Sequence, residues 1–479
     1  MSLHDAVWDG DVMLATVLID YGADVNEPAD DEGTSPLHLA CFSNQLEMTR
    51  LLLDRGANIE TKREDGLTPF HVAMMMNYLD IASFLLQQGA QIETTVDGMR
   101  ALHGASRNGH LEAVQILIHR GADVHARDKD KWTALHFGCG AQNLELVRLL
   151  LDQDAAINAK TNTGLTPIQI ACRVGDPETV QLLLDRGARV NEMDNDLWTP
   201  IYFAVGGGHV EVVALLLDRG AHIEASHENQ ITPLSVACGA GWLDVALLLL
   251  NRGADLESCS GNAGTPLHRA CANAHLEIAT LCLDRGANIE ANAGDVQCTP
   301  LHLACAKDNL EVAELLLDRG ANIEAKEQHE CTPLHIACTG THLGVAGLLI
   351  DRGANVEARE NFGFTPLHVC CKVNCLDVAK LLLDRGAKIE AIAKNTRTAL
   401  HITCRKGHEE IARMLIERGA NLEATTREGL TPLYIAGKNN HSDISMATFE
   451  ALMILIHDRY RSIETKIVGS TNVAMQRFE

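Results

Sequence analysis

Apolar residues along this chain fall into short and long clusters that alternate. After the pair Thr299-Pro300 comes a short cluster, Leu301, Leu303, Ala304 and Cys305. A polar step, Lys307-Asp308-Asn309, leads to a longer one of Leu310, Val312, Ala313, Leu315, Leu316 and Leu317, which closes on Asp318-Arg319-Gly320. The Thr299 hydroxyl can cap a helix, and Pro300 at the first helical position gives up only an amide hydrogen that would have no partner there. The pattern therefore predicts a helix of about eight residues, a polar turn, and a second helix from Leu310 to Asp318. Gly320 can take the left-handed conformation that ends it, and Arg319 suits the negative end of the helix dipole. A hairpin-like loop then leads to the next Thr.

This arrangement recurs. The first residue of the Thr-Pro-Leu-His type element falls at Ser35, Thr68, Arg100, Thr133, Thr166, Thr199, Thr232, Thr265, Thr299, Thr332, Thr365, Thr398 and Thr431, spaced by 33 except for one 32 and one 34. A shorter version opens the chain with Leu3 and His4 in register, giving fourteen units that run to Lys466. The apolar positions of the second helix cover more of the wheel than one hairpin can hide. Stacking identical units does hide them, because each second helix then packs on its own first helix and on neighbours at both sides. A linear, all-α solenoid follows.

A 33-residue period carrying T-P-L-H-x-A, here TPLHLAC with LLLDRGAN behind it, resembles the ankyrin-repeat family. That resemblance implies a curved stack of helix-turn-helix repeats whose loops and short first helices line a concave, protein-binding face. It also implies that the motif His hydrogen-bonds across repeats. The joints where Gln169, Tyr202, Ser235 and Tyr434 replace that His are accordingly expected to be softer. Alignment puts Ala155 and Tyr460 at the cap-glycine position. With Ala155 left-handed at a cost of about 1 kcal/mol and Asp154 in the place of the Arg, the fifth repeat is the expected flexible point.

Composition narrows the partners. Aromatics make up 4% of the 479 residues, so small apolar side chains must do most of the packing. The net charge of -24 makes the average surface repel phosphate backbones and anionic lipids, which argues against nucleic acid and membrane surfaces. No apolar run is long enough to span a bilayer, and the acidic start, with Asp5, Asp9 and Asp11, does not read as a secretion signal. The expectation is a soluble intracellular protein, cytoplasmic or nuclear.

Fifteen cysteines and 22 histidines invite a metal or catalytic reading that their register answers. Nine cysteines, from Cys41 to Cys404, lie six residues after the marker, where a small buried residue belongs. Repeats stacked about 8 to 10 Å apart keep that ladder from forming disulfides, which need Cα atoms within about 7 Å. Cys370, Cys371 and Cys375 lack a fourth ligand at zinc spacing. Ten histidines are the motif residue. Recurrent glutamates such as Glu290, Glu324 and Glu357 are too far apart to share a proton and read as a solvated face. No catalytic residues, cofactor or metal are expected.

Two rows are candidates for recognition. The residue before the marker reads Leu67, Met99, Trp132, Leu165, Trp198 and Ile231, later Phe364 and Leu430, an apolar stripe that either contacts a partner or lies half-buried on the next loop. Seven and eight residues after the marker, Gly140-Ala141, Gly206-Gly207 and Gly239-Ala240 predict a groove floored by backbone beside Trp132 and Trp198; the alternative is glycine merely tolerated at a helix end. The same row turns basic later, with Lys307, Lys372, Arg405, Lys406 and Lys438, after Arg107 and Arg173 alone. A protein or peptide partner, acidic or phosphorylated toward the C-terminal half, is the expectation.

DRYRSIETK at Asp458 to Lys466 arrives eight residues late for the template, so the last repeat carries an insertion within Ser442 to Phe449, expected to lengthen its second helix or the preceding turn. The domain reading is a solenoid over 1–466 and a tail, or a degenerate start of another repeat, over 467–479. A non-enzymatic scaffold or adaptor is the leading reading. The alternative is the recognition arm of a larger assembly, such as a ubiquitin ligase, channel or kinase, whose working domain is elsewhere.

Overall fold

The computed structural model describes residues 2–95, 98–225, 230–259, 261, 264–454 and 457. Within them the expected helix pairs recur: first helices of seven or eight residues, from Leu3–Asp9 to Pro432–Lys438, and second helices of nine, from Val12–Asp20 to Glu409–Glu417. The loops carry an isolated antiparallel bridge between Ala293 and Cys298, and no strand occurs among the described residues. Two units are distinguishable. One comprises Met1–Ala237 and Leu247–Ala254, the other Cys238–Ala246 and Asp255–Glu479. In each, a first helix packs on its own second helix and on the first helix of the next repeat.

The tenth repeat shows why these residues fold this way. Thr299 and His302 form a capping box: the His302 ring accepts the Thr299 amide at 3.2 Å and meets its hydroxyl at 2.8 Å. Pro300, Leu301, His302, Ala304 and Cys305 are buried from the first helix, and Val312, Ala313 and Leu316 from the second. Leu315 and Leu317 are half-buried, while Leu310, 39% exposed, stands at the edge of the wheel. Gly320 ends the second helix at φ +89°, and the Ala321 amide reaches back to the Leu316 carbonyl at 2.9 Å.

The fifth repeat departs from expectation. Asp154, not Ala155, takes the left-handed position, at φ +58°. Its amide and that of Ala155 donate to the Leu151 and Leu150 carbonyls at 3.1 and 3.0 Å, reproducing the glycine pattern. Ala155 is 7% exposed, as buried as Ala188 in the corresponding place. A single-residue slip in aligning LDQDAAINA with LDRGANIEA accounts for the error. Asp tolerates the left-handed region better than Ala because its short polar side chain can bond locally, so the helix end is kept.

At the far end the chain is helical over 442–454, longer than the nine-residue second helices of the other repeats. Asp458 to Lys466, Tyr460 and the tail over 467–479 lie outside the described residues.

Candidate interaction surface

Four sets of side chains bind one repeat to the next, and together they define what remains for a partner. In the first, the motif histidine accepts a backbone amide at Nδ1, which leaves Nε2–H to donate across the joint. His38 reaches the Leu67 carbonyl at 2.9 Å, His136 that of Leu165 at 3.1 Å, His335 that of Phe364 at 3.0 Å and His401 that of Leu430 at 3.1 Å. Burial holds these rings neutral, pushing His71, His136 and His368 down to about 4. At two of the joints expected to be softer, another side chain makes the cross-repeat bond. Gln169 Nε2 donates to the Trp198 carbonyl at 2.7 Å while its Oε1 accepts the Thr166 amide at 2.8 Å. The buried Tyr202 hydroxyl donates to the Ala225 carbonyl at 2.5 Å and also meets that of Ile231. Tyr434, in contrast, is 55% exposed.

The glutamate row is the second set, and its members do more than face water. Glu290 accepts the Asn322 amide, Glu324 that of Asn355 and Glu357 that of Lys388, each at 2.7 Å in the following repeat. Where the row has Asn191, its Oδ1 accepts the His222 amide at 2.9 Å. Third, Arg319 pairs with Asp284 at 2.8 Å and Arg352 with Asp318 at 2.6 Å, so the Asp-Arg of successive repeats forms an exposed ladder. Fourth, residues at the head of second helices reach back to the preceding first helix: Asn309 to the Cys271 carbonyl at 2.6 Å, His275 to Gly239 at 3.2 Å.

Sequence reasoning missed one further device. An acid five residues before the marker closes the loop by accepting amides from its tip: Asp128 from Trp132 at 2.7 Å, Asp194 from Trp198 at 2.8 Å, Glu360 from Phe364 at 2.8 Å. The signal was the recurrence of Asp or Glu at that offset, with Thr161 and Thr426 as hydroxyl substitutes.

These loops place the apolar stripe. Leu67, Met99, Trp132, Leu165, Trp198 and Ile231 in one unit, and Phe364 and Leu430 in the other, are all half-buried: the carbonyls of Leu67, Leu165, Trp198, Ile231, Phe364 and Leu430 serve the joints, whereas His71 and His103 reach Thr94 and Ala126 in place of Met99 and Trp132. Trp132 lies on Phe137 with ring centroids 5.1 Å apart, and Trp198 meets Tyr202 edge-on at 4.7 Å.

The glycine-floored groove is only partly there. Gly206 is open and Gly140 nearly so, but the ring of His209 covers Gly207, and Arg269 lies over Gly239, where an added methyl would come within 2.6 Å of its Nε. These glycines make room for side chains from elsewhere in the stack. In the unit that holds Gly140 and Gly206, an apolar hollow lies earlier, where the marker spacing falls to 32. Its volume is about 610 Å³, and Leu67, Met75, Met99, Gly104, Trp132 and Phe137 line it beneath a charged rim. Leu67, Met99 and Trp132 thus come together, whereas Leu165, Trp198 and Ile231 do not line it.

The basic row is exposed throughout. Lys307, Lys372, Arg405, Lys406 and Lys438 stand at the ends of first helices in one unit, and Arg107 and Arg173 at the same position in the other. Lys372 Nζ sits 5.9 Å above the Phe364 ring, linking the basic and apolar rows.

The cysteines behave as packing. All nine in the ladder are buried, as are Cys370 and Cys375, and burial pushes the thiols of Cys41, Cys371 and Cys404 up to about 12, far from a reactive thiolate. Among the described residues no cluster of His, Cys, Asp and Glu suits a metal ion, and no helix is long and apolar enough to cross a membrane.

A family model of three ankyrin repeats matches this chain over residues 3–96, 102–194, 189–260, 255–327, 324–393 and 390–446. Fowlpox virus (strain NVSL) protein FPV240, an ankyrin repeat protein by name, is 43% identical over 63 residues, 13% of this chain and 15% of that protein. The human transient receptor potential cation channel subfamily A member 1 is 30% identical over 130 residues, 26% of this chain and 12% of the channel. Mouse protein phosphatase 1 regulatory subunit 27 is 39% identical over 64 residues, 13% of this chain and 41% of that subunit. The chain thus spans less than half the length of each. With the family model matching nearly every repeat and the same capping and joint chemistry running through them, the chain belongs to the ankyrin-repeat family.

Proposed function

We propose that this chain is a non-enzymatic scaffold that binds protein partners along the face made by its loop tips and first-helix ends. One observation carries the reading. The recurrent polar side chains are engaged in holding repeat to repeat, while the residues that vary, the apolar stripe and the basic row, are the ones left open. The four joint sets run through both units, so partner choice rests on positions that the fold does not need. In the unit holding Lys307, Lys372, Arg405, Lys406 and Lys438, five exposed cations on one row favour an acidic or phosphorylated segment. On a chain of net charge -24, such a row attracts carboxylate or phosphate where the rest of the surface repels it. A cytoplasmic or nuclear setting fits the fifteen unpaired thiols.

A second reading, the recognition arm of a larger assembly, is favoured by the relatives. The matched part is 12% of the human channel and 14% of the Drosophila palmitoyltransferase Hip14, so both proteins extend well beyond it.

The test is affinity capture from cells with the full chain and its K372E/R405E/K406E variant. Capture that the reversal abolishes, and that weakens with salt as charges are screened over about 10 Å at 0.1 M, supports the scaffold reading. An unchanged set of captured proteins removes the acidic partner, and no captured protein at all removes the scaffold.

A further inference from the structure

The hollow around Gly104 has a cause in the sequence and a shape that selects what enters it. Four residues after the marker, the first helices carry Leu39, Val72, Phe137, Ile170 and Leu303, but the fourth repeat has Gly104. The loop before it is the one shortened by a residue, so the wall drops between taller neighbours. The floor is apolar, and the nearest titratable ring, His71, stays neutral because burial pushes it down to about 4, against the opposing pull of the Thr94 carbonyl 3.0 Å from its Nε2.

The rim carries Asp65, Asp128 and Asp130 as well as Arg100, Arg107 and Lys129, and these charges are not equivalent. Asp128 faces inward, accepting the Asp130 and Trp132 amides at 2.9 and 2.7 Å. Asp65 is 3.5 Å from Arg63, and Arg100 is held by Glu93 at 2.7 Å. Arg107 is exposed at the end of its helix, and two repeats on, past the nearly bare Gly140, Arg173 is exposed at the same position. Repeats stack at about 8 to 10 Å, which puts the two guanidinium groups roughly 20 Å apart. An extended chain covers that distance in about six residues, a helix in about thirteen.

We propose that this notch takes an extended acidic peptide segment of a partner protein. One bulky apolar side chain of the segment fills the hollow over Gly104, and its carboxylates pair with Arg107 and Arg173. This deepens the scaffold reading and rests on it. The hollow's volume is in the range of specific small-ligand sites and accepts a whole side chain between Met75 and Trp132. The arginines set direction and register, because guanidinium pairs with carboxylate in a fixed, bidentate geometry.

The experiment pans a random-peptide phage library, long enough to span both arginines, on the full chain. Selected peptides are synthesised and titrated by fluorescence polarisation against wild type, G104L and R107E/R173E. Leu is the residue of the second and tenth repeats at this position, but a methyl added at Gly104 would come within 2.9 Å of Met75 Cγ, so Met75 must swing aside; a cooperative melt near the wild-type temperature verifies that G104L folds. The expected result is a selected motif with one bulky apolar residue and nearby Asp or Glu, bound about tenfold or more weakly by both variants. Failure to enrich any peptide, a motif without acids, or binding to G104L within about twofold of wild type overturns the proposal. Peptides indifferent to G104L but weakened by K372E/R405E/K406E would sink the notch and leave the scaffold standing.

Discussion

The histidine joints make the stack sensitive to mild acid, and the size of the effect can be worked out. His71 and His136 lie in one unit, with folded values of about 4 against 6.5 for an exposed ring. Desolvation dominates in both, opposed by the carbonyl that each Nε2–H bonds. The folded value is the lower one, so the stabilisation from keeping these rings neutral is fully present above pH 6.5. It is lost as pH falls toward 4, because the unfolded chain takes up protons that the folded one refuses. Each ring then costs about 2 kcal/mol at pH 5 and about 3 kcal/mol by pH 4. Two rings give about 4 kcal/mol at pH 5, a large part of the 5–15 kcal/mol typical of a domain.

Gln169 supplies the control, since it makes the same pair of contacts without titrating. The H71Q/H136Q variant should stay within about 1 kcal/mol of wild type at pH 7, where a neutral hydrogen bond is exchanged for another. Urea unfolding followed by far-UV circular dichroism at pH 7, 6 and 5, at constant ionic strength, reads both proteins. Wild type should lose about 4 kcal/mol more than the variant between pH 7 and 5. Parallel losses would refute the reasoning and move acid sensitivity to the carboxylates.

Asp154→Gly should stabilise the fifth repeat by about 0.5–1 kcal/mol in urea unfolding, the relief of a left-handed non-glycine residue less the entropy of the freer unfolded chain; destabilisation would mean that the carboxylate has a role of its own. Tyr202→Phe should cost about 1–3 kcal/mol by leaving the Ala225 and Ile231 carbonyls without their buried donor, and Tyr202→His should recover part of it; equal stabilities of the two variants would contradict the bond. Native chain treated with iodoacetamide at pH 8 should be labelled at the exposed Cys259 well before Cys41, Cys371 or Cys404, as followed by peptide mass spectrometry. Simultaneous labelling would mean that the repeats open faster than the reagent reacts.

Helix starts, helix ends and the period were legible because each depends on one local rule: Thr or Ser caps, Pro at the first turn, Gly at the left-handed exit. What failed depended on side chains reaching across repeats. Nothing within the residues around Gly207 says that the ring of His209 will turn back over it, or that Arg269 will cover Gly239 from the next repeat. The glutamates read as solvated because they are too far apart to share a proton, yet a half-buried carboxylate such as that of Glu290 can still accept the next loop's amide. Gln169 and Tyr202 read as weak joints by residue type, although what the joint needs is a donor at the right reach. Arg173, Lys307, Lys372, Arg405, Lys406 and Lys438 are all exposed, as a basic row on helix ends should be.

The hollow illustrates a different limit. Its two sequence signs, a 32-residue spacing and a glycine where most other repeats carry branched or aromatic residues, are both absences, whereas aromatic residues and the more conspicuous glycine pairs are the features that suggest a groove. Trp132 was found that way, but as the wall of a site whose floor lies one repeat earlier, at Gly104. In a repeat stack this outcome has a physical basis. Every joint is held by several independent bonds, so a side chain missing from the open face leaves the neighbouring backbones in place, and the space is filled only as far as a side chain can reach: Met75 Cγ comes within 2.9 Å of where a methyl at Gly104 would lie and still leaves the hollow. Recognition can therefore be encoded by removal, and a missing residue in an otherwise regular array is as strong a pointer to a partner as an added charge or ring.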